Sequence, residues 1–99
     1  MVKENQPESF SLLQNYPNPF NTSTTISLTL PASCFTQLII YNITGQKIRE
    51  LIAETMTAGI HNVVWDGMDN SGNAVSSGVY ISQLSAGKLV ANSRMVLMK

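Results

Sequence analysis

Residues 24–30 alternate strictly between polar and apolar side chains, and this pattern limits the possible fold more than any other feature of the chain. Ile26, Leu28 and Leu30 fall on one side of an extended backbone, and the intervening Thr and Ser residues fall on the other. A period of two residues is typical of a strand with one buried face. Pro31 follows directly, and proline cannot donate a ladder hydrogen bond. The pattern therefore predicts a half-buried β-strand that ends before Pro31.

Further strand patterns follow at short intervals, separated by turns rich in Gly, Asn and Ser. Residues 35–43 are apolar on both faces in their middle, which predicts a central strand covered on both sides. Residues 47–53 could form a short helix, but their alternation and the flanking turn signals favour a strand. Strands are also predicted at 60–66, 78–84 and 89–98. About seven short strands with frequent turns predict an all-β fold, an immunoglobulin-like antiparallel β-sandwich.

The predicted core consists of apolar residues on these strands, with the single tryptophan as its central anchor. Its members are Ile26, Leu28, Leu30, Leu38, Ile40, Val63, Trp65 and Leu97. A chain of 99 residues can bury about two thirds of its unfolded surface, so this core can form without disulfide bonds. The single cysteine, Cys34, is interpreted as a small apolar residue and not as a nucleophile.

Charged residues are scarce and balanced, which limits the classes of partner. They make up 12% of the chain, with six positive and six negative side chains. Nucleic acids and anionic membranes attract proteins with a positive field, so neither is expected as a partner. No segment approaches the ~20 apolar residues of a membrane span, so direct membrane insertion is not expected. The first residues are polar and do not have the pattern of a signal peptide, so if the protein is exported, its export signal is expected upstream of this sequence.

No set of residues has the pattern of a catalytic or metal site. His61 is the only histidine, and it alternates with Val63 and Trp65, which favours a structural role. Residues 66–73 offer oxygen ligands, but Met68 and Ser71 occupy positions where a calcium loop needs a ligand and a glycine. Asx turns explain this loop better. We therefore expect no catalytic residue, no metal and no cofactor.

Residues 15–21, with the sequence NYPNPFN, form a segment that we call the lead-in. It places two of the four prolines of the chain one residue apart, between two aromatic residues. Proline fixes its own φ and biases the preceding residue toward extended backbone, so the lead-in is predicted to be stiff and kinked. Two compatible roles are open. The lead-in can fix where the preceding linker leaves the sandwich, or it can cap a sheet edge against stray strand pairing.

Short motifs occur in order along nearly the whole chain, from about Phe10 to Lys99. They are LQNYPNPFN at 13–21, IYNITGQ at 40–46, GIHNVVWDG at 59–67, DNSGN at 69–73, SGVY at 77–80 and RMVLMK at 94–99. Together they resemble the type A C-terminal sorting domain of type IX secretion system cargo proteins in Bacteroidetes and related bacteria. They are also similar to the immunoglobulin-like domain of the flagellar hook-capping protein. Residues 1–9 are polar and contain Pro7, which predicts a linker or tail, and the resemblance implies a sorting domain at 10–99.

The resemblance implies that the domain acts as a secretion and sorting signal and has no catalytic activity. The implied partners are the outer-membrane secretion machinery, a sortase-like protease that cuts upstream of Phe10, and a cargo domain upstream in the same polypeptide. The implied route is export to the periplasm and then transfer to the cell surface or the medium.

The family's recurrent positions are carried over as recognition residues, presented on a folded surface with an accessible C-terminal strand. They are Pro17, Asn18, Pro19, Gly45, Gly78, Tyr80, Arg94 and Lys99, with Arg94 in place of the usual lysine. Two other functions stay open. They are an accessory immunoglobulin-like binding module of a secreted glycan-degrading enzyme and a structural assembly module of the hook-capping kind.

Overall fold

The computed structural model describes residues 10–99, and all regular structure in this range is β-strand. The strands are β1 Ser11–Leu12, β2 Thr24–Leu30, β3 Cys34–Asn42, β4 Lys47–Met56, β5 Gly59–Trp65, β6 Gly78–Ala86 and β7 Leu89–Leu97. They form a three-stranded sheet of order β1-β2-β5 and a four-stranded sheet of order β4-β3-β6-β7, with antiparallel neighbours throughout. The predicted immunoglobulin-like β-sandwich is confirmed. The linker and the cleavage position predicted upstream of Phe10 lie outside the described residues.

The core lies between the two sheets and takes side chains from every strand from β2 to β7. Its buried apolar residues are Phe20, Ile26, Leu28, Leu30, Leu38, Ile40, Ile52, Trp65, Tyr80, Leu84, Ala86, Met95 and Leu97. β2 buries every second residue along its whole length, as its alternating sequence predicts. Val63, which was predicted for the core, is only partly buried and packs against its rim. The long apolar side chains of both sheets thus meet in one layer, which holds the sheets face to face.

β3 is central in its sheet, but the prediction that it is covered on both faces is wrong. Leu38 and Ile40 are buried, whereas Ile39 and Tyr41 on the opposite face are only half-buried and Phe35 is 55% exposed. A two-layer sandwich has no third layer over the outer face of its larger sheet. Among residues 10–99, the apolar residues on this outer face are therefore half-buried or exposed.

Candidate functional site

Three buried aromatic side chains support one end of the sandwich. Trp65, the last residue of β5, meets Phe20 and Tyr80 edge to face, with ring centroids 5.7 Å and 5.4 Å away. Its Nε1–H donates to the carbonyl oxygen of Met68 at 3.0 Å. The hydroxyl of Tyr80 donates to the carbonyl oxygen of Ser76 at 2.7 Å. The indole N–H of Trp65 and the hydroxyl of Tyr80 thus each hold a loop in place, and the packed aromatic cluster supports the surface at this end.

The turn between β3 and β4 is held by the side chain of Asn42. Its Oδ1 accepts hydrogen bonds from the N–H of Thr44, the hydroxyl of Thr44 and the N–H of Gln46, at 3.1, 2.8 and 2.9 Å. Gly45 has a φ of 88°, in the left-handed region that favours glycine. Ile43 stands in this turn and is 73% exposed. The turn therefore presents an apolar side chain in a fixed geometry.

A shallow cavity lies between this turn and the segment that leads into β6. Its volume is 210 Å³, and it is lined by Asn42, Ile43, Thr44, Ser76, Ser77, Gly78, Val79 and Tyr80. The lining carries hydroxyls, an amide and apolar groups but no charged side chain. The cavity is smaller than the roughly 300–1,000 Å³ of typical small-molecule sites. It is better suited to part of a protein surface than to a free ligand.

Two of the predicted recognition residues line this cavity, and two others lie next to it. Gly78 and Tyr80 line it, and Gly45 belongs to the turn beside it. The backbone N–H of Lys99 donates to the hydroxyl of Ser77 in its wall at 2.9 Å. Tyr80 is buried and its hydroxyl is already bonded within the domain, so it supports the surface from below.

The lead-in crosses from one sheet to the other. Tyr16 exchanges two backbone hydrogen bonds with Thr25 of β2, both at 2.9 Å. Farther along, Phe20 forms a parallel bridge to Leu97 of β7. Its N–H donates to the carbonyl of Val96 at 3.0 Å, and its carbonyl accepts from the N–H of Met98 at 2.8 Å. Pro17 and Pro19 lie between these two paired stretches, and the peptide bond before each is cis. One short segment thus ties the first strand pair to the last strand.

The lead-in also caps part of the outer edge of β7. Oδ1 of Asn18 accepts from the N–H of Val96 at 2.9 Å, and Gln14, just before the lead-in, donates from its side chain to the carbonyl of Arg94 at 2.9 Å. Arg94 does not line the cavity; it is exposed on β7, opposite Ile81 of β6. The structure shows the edge-capping role for the lead-in. The expectation of an accessible C-terminal strand is wrong for residues 96–98, because the lead-in covers their outer edge.

A buried polar cluster, which the sequence analysis missed, anchors the lead-in. Asn15 is 3% exposed, and its Nδ2 donates to the hydroxyl of Thr24 at 2.9 Å and to the carbonyl of Pro17 at 3.1 Å. The hydroxyl of Thr24 donates to the same carbonyl at 2.8 Å. The sequence did contain an indication of this cluster. A segment with two prolines has few backbone N–H groups, so its buried carbonyls need hydrogen-bond donors from side chains such as that of Asn15.

The loop at 66–73 caps β4, which is the other edge strand of the four-stranded sheet. Asn70 donates from its backbone to the carbonyl of Ile48, and its Oδ1 accepts from the N–H of Glu50, both at 3.1 Å. An ion pair between Arg49 and Asp66, 3.0 Å long, ties the start of the loop to β4. Both edge strands of the four-stranded sheet thus carry an asparagine cap near the same end of the sandwich.

The carboxylate of Asp69 is bonded to N–H groups of its own loop. It accepts from Ser71 and Asn73, both at 2.9 Å. These bonds, chiefly the one from Asn73, lower the pKa of Asp69 below its ordinary value of 3.8. Because the folded-state pKa is depressed, the stabilisation that this charge adds is complete above the unfolded-state pKa and is lost as the pH falls through the folded-state pKa.

We expect an NMR titration of the Asp69 carboxyl carbon to give a midpoint below 3.8 in the folded domain. The same titration of the urea-unfolded chain should return the ordinary pKa of an aspartate and serves as the control. A folded-state midpoint equal to the unfolded one would contradict the role of the loop N–H groups.

The other candidates for chemistry have structural contacts. Nε2 of His61 lies 2.8 Å from the carbonyl oxygen of Thr57. Cys34 is partly buried against the core. Within residues 10–99, no three His, Cys, Asp or Glu side chains form a group that could hold a metal ion. The same range contains no helix that could cross a membrane.

Solved structures of two kinds of protein are similar to this fold. FlgD from P. aeruginosa is 27% identical with a TM-score of 0.57, over 76% of this chain and 59% of that one. FlgD from Xanthomonas campestris, described for its hook capping in flagellar assembly, is 20% identical with a TM-score of 0.60, over 92% of this chain and 63% of that one.

The third similar structure is PorZ, a surface component of the type IX secretion system of Porphyromonas gingivalis. It is 19% identical with a TM-score of 0.60, over 97% of this chain and 12% of that one. The chain thus spans between 12% and 63% of the length of these three proteins. No curated protein sequence matches the chain.

A family model covers most of the sandwich. The model of the FlgD Ig-like domain matches residues 18–89, from Asn18 in the lead-in, through β2 to β6, to the first residue of β7. The matched range holds the aromatic cluster, the Asn42 turn and the whole cavity lining. The chain therefore belongs to the FlgD Ig-like domain family.

Proposed function

We propose that this domain is a non-catalytic secretion and sorting domain that directs a cargo protein through the outer-membrane type IX machinery to the cell surface or the medium. The observation that carries the proposal is that Gly78 and Tyr80 line one uncharged cavity, with Gly45 in the adjacent turn and Lys99 bonded to its wall. These residues come from three separate motifs, and the resemblance to sorting domains selects them independently of the fold. The similarity in fold to PorZ, itself a type IX component, supports the same system.

The proposed mechanism is recognition of a surface that is already ordered before binding. Hydrogen bonds to Asn42 hold Ile43 in place, and the aromatic cluster supports the wall of the cavity. A rigid surface loses little conformational entropy on binding, so more of the contact energy appears as affinity. Since the cavity lining carries no charge, recognition depends on shape and hydrogen bonds at short range.

The proposed partners are the outer-membrane secretion machinery, a sortase-like protease and a cargo domain upstream in the same polypeptide. In this arrangement the exposed residues Pro17, Asn18 and Pro19 lie where the lead-in passes from β2 to β7. The domain travels through the periplasm and reaches the cell surface or the medium. The chain itself carries out no reaction in this proposal.

A second candidate function is an assembly module of the hook-capping kind, which the 27% identity to FlgD from P. aeruginosa favours. A glycan-binding module is less well supported. Tyr16 and Phe35, the exposed aromatic residues within 10–99, lie on different sheets and so cannot form one stacking strip.

Fusion of residues 1–99 to a periplasmic reporter tests the sorting proposal. In a strain with the type IX system the reporter is expected at the surface or in the medium, and in a matched strain without the system it is expected in the periplasm. Ile43→Ser should lower export by about tenfold, because an exposed apolar side chain held in a fixed turn is a typical binding anchor.

Ile60→Ser is the matched control for this experiment. Ile60 is 72% exposed, close to the 73% of Ile43, but it lies on the other sheet. Its replacement should leave export unchanged. Retention of the unaltered fusion in the periplasm, or equal loss of export in both variants, would count against the proposal.

A further inference from the structure

Within the described residues 10–99, the outer edge of β7 has no paired strand along part of its length. In an antiparallel ladder the backbone groups of successive residues point alternately toward the paired strand and away from it. The bonds from Asn18 and Phe20 to Val96 show that even-numbered residues of β7 point away from β6. Upstream of these bonds, Val90 and Asn92 direct both N–H and C=O to this edge, and Arg94 directs its N–H there.

These groups have no hydrogen-bond partner among residues 10–99. The lead-in reaches only Val96 and Met98, and the side chain of Gln14 occupies the carbonyl of Arg94. The free donors and acceptors repeat at every second residue, roughly 6.8 Å apart. An extended polypeptide backbone is the partner whose own groups repeat at this spacing.

The other edge of the same sheet is protected in ways that β7 is not. β4 has register shifts opposite residues 38–41, it carries Lys47, Arg49, Glu50 and Glu54, and Asn70 caps it. Bulges, charges and caps are the usual means of preventing strand pairing. Residues 89–93 of β7 have no charged side chain, and Leu89 and Val90 are exposed. This edge therefore retains the capacity to pair.

The positive charges at the two ends of this edge indicate which kind of strand can bind to it. Lys88 and Arg94 lie at the two ends of the free edge, and neither forms an ion pair with another residue in 10–99. An antiparallel pair of two copies centred on Ala91 would place Arg94 of one copy opposite Lys88 of the other, and like charges across strands are destabilising. A strand with acidic side chains at its ends would instead meet both cations.

We propose that the edge of β7 at residues 89–94 binds an extended, acidic segment of a partner polypeptide by strand addition. The bound segment extends the four-stranded sheet by one strand. Its backbone pairs with Val90, Asn92 and the N–H of Arg94, and its acidic side chains lie opposite Arg94 and Lys88. This binding is separate from the cavity and does not depend on the proposed role in secretion.

The test is an NMR titration and hydrogen-exchange experiment on the whole chain with a synthetic peptide. The probe is the blocked peptide Glu-Thr-Val-Thr-Val-Thr-Glu, and the charge control has Lys in place of both Glu residues. The expected result is that the amides of Val90, Asn92 and Arg94 shift and that their exchange slows by about tenfold on binding. The lysine peptide should bind about tenfold more weakly.

A proline on the edge separates strand addition from other contacts. Asn92→Pro removes an N–H that points away from β6, a position where strands tolerate proline, and should weaken peptide binding by about tenfold or more. Asn92→Ala removes the side-chain bond from Gln83 but keeps the N–H, and Val64→Pro alters the edge of β5 instead. Both controls should bind as the parent chain does.

Three results would overturn the proposal. The first is slow exchange of the Val90 and Asn92 amides in the free monomer. The second is equal binding of the acidic and basic peptides, or of Asn92→Pro and Asn92→Ala. The third is sedimentation showing that the chain dimerises through this edge, since a second copy would then be its occupant.

Discussion

Trp65→Ala is expected to lower the free energy of unfolding by about 3–5 kcal/mol, because it removes the largest side chain of the core and leaves a cavity. Trp65 is fully buried, touches Phe20 and Tyr80 through its ring and holds the carbonyl of Met68 through its N–H. The substitution therefore removes apolar burial, two aromatic contacts and one of the two donors to the carbonyl of Met68, which also accepts from Arg49. Since small domains have roughly 5–15 kcal/mol of stability in total, this variant should be close to unfolding at room temperature.

Urea denaturation followed by circular dichroism measures this loss, since the variant has no tryptophan fluorescence. Trp65→Phe is the matched control, because it keeps an aromatic ring in the core and loses mainly the N–H bond and part of the volume. It should cost clearly less than the alanine variant. A loss below about 1.5 kcal/mol for Trp65→Ala would show that the core does not depend on this residue.

Asn15→Ala should be the next most damaging of the substitutions considered, at about 1–3 kcal/mol. It leaves the carbonyl of Pro17 with one donor fewer and the hydroxyl of Thr24 without its donor, in a region where both asparagine and threonine are buried. Because Asn15 anchors the lead-in, the pairing of the lead-in with β7 should also weaken. Hydrogen exchange at the amide of Met98, which donates to Phe20, should become faster.

Asn21→Ala provides the comparison within the same segment. Asn21 is exposed and its only described side-chain bond is with the neighbouring Thr22, so its loss should change stability by no more than about 0.5 kcal/mol. Equal stability of the two variants, or unchanged exchange at Met98 in Asn15→Ala, would refute the anchoring role of the buried cluster.

The strands were predictable because their signals are local. The alternation in β2 and the glycines and asparagines between the other strands depend only on neighbouring residues, and they correctly predicted the strand at 47–53. Whether the outer face of β3 is covered could not be predicted in this way, since an apolar run does not show whether a third layer packs on the sheet. Burial of Asn15 was missed for the same reason, because its partner Thr24 lies on another strand.

The candidate site depended on the fold even more strongly. Gly45 belongs to the turn after β3 and Gly78 is the first residue of β6, and only the pairing of β3 with β6 brings them to one end of the sheet. The path of the lead-in could be predicted only as a pair of alternatives, since proline content indicates stiffness but not which edge the segment follows. Its hydrogen bonds to Val96 and Met98 join residues almost eighty positions apart, as the separation of 78 between Asn18 and Val96 shows.

The contact between the lead-in and β7 also sets the order in which the domain can be completed. Gln14, Asn18 and Phe20 emerge among the first described residues, but their partners at 94–98 are among the last. During synthesis from the amino end, the lead-in can pair with β2 early, as Tyr16 does with Thr25, but its contacts with β7 form only after the final strand has emerged. The outer edge of β7 at residues 94–98 is therefore covered only once the last strand has been synthesised.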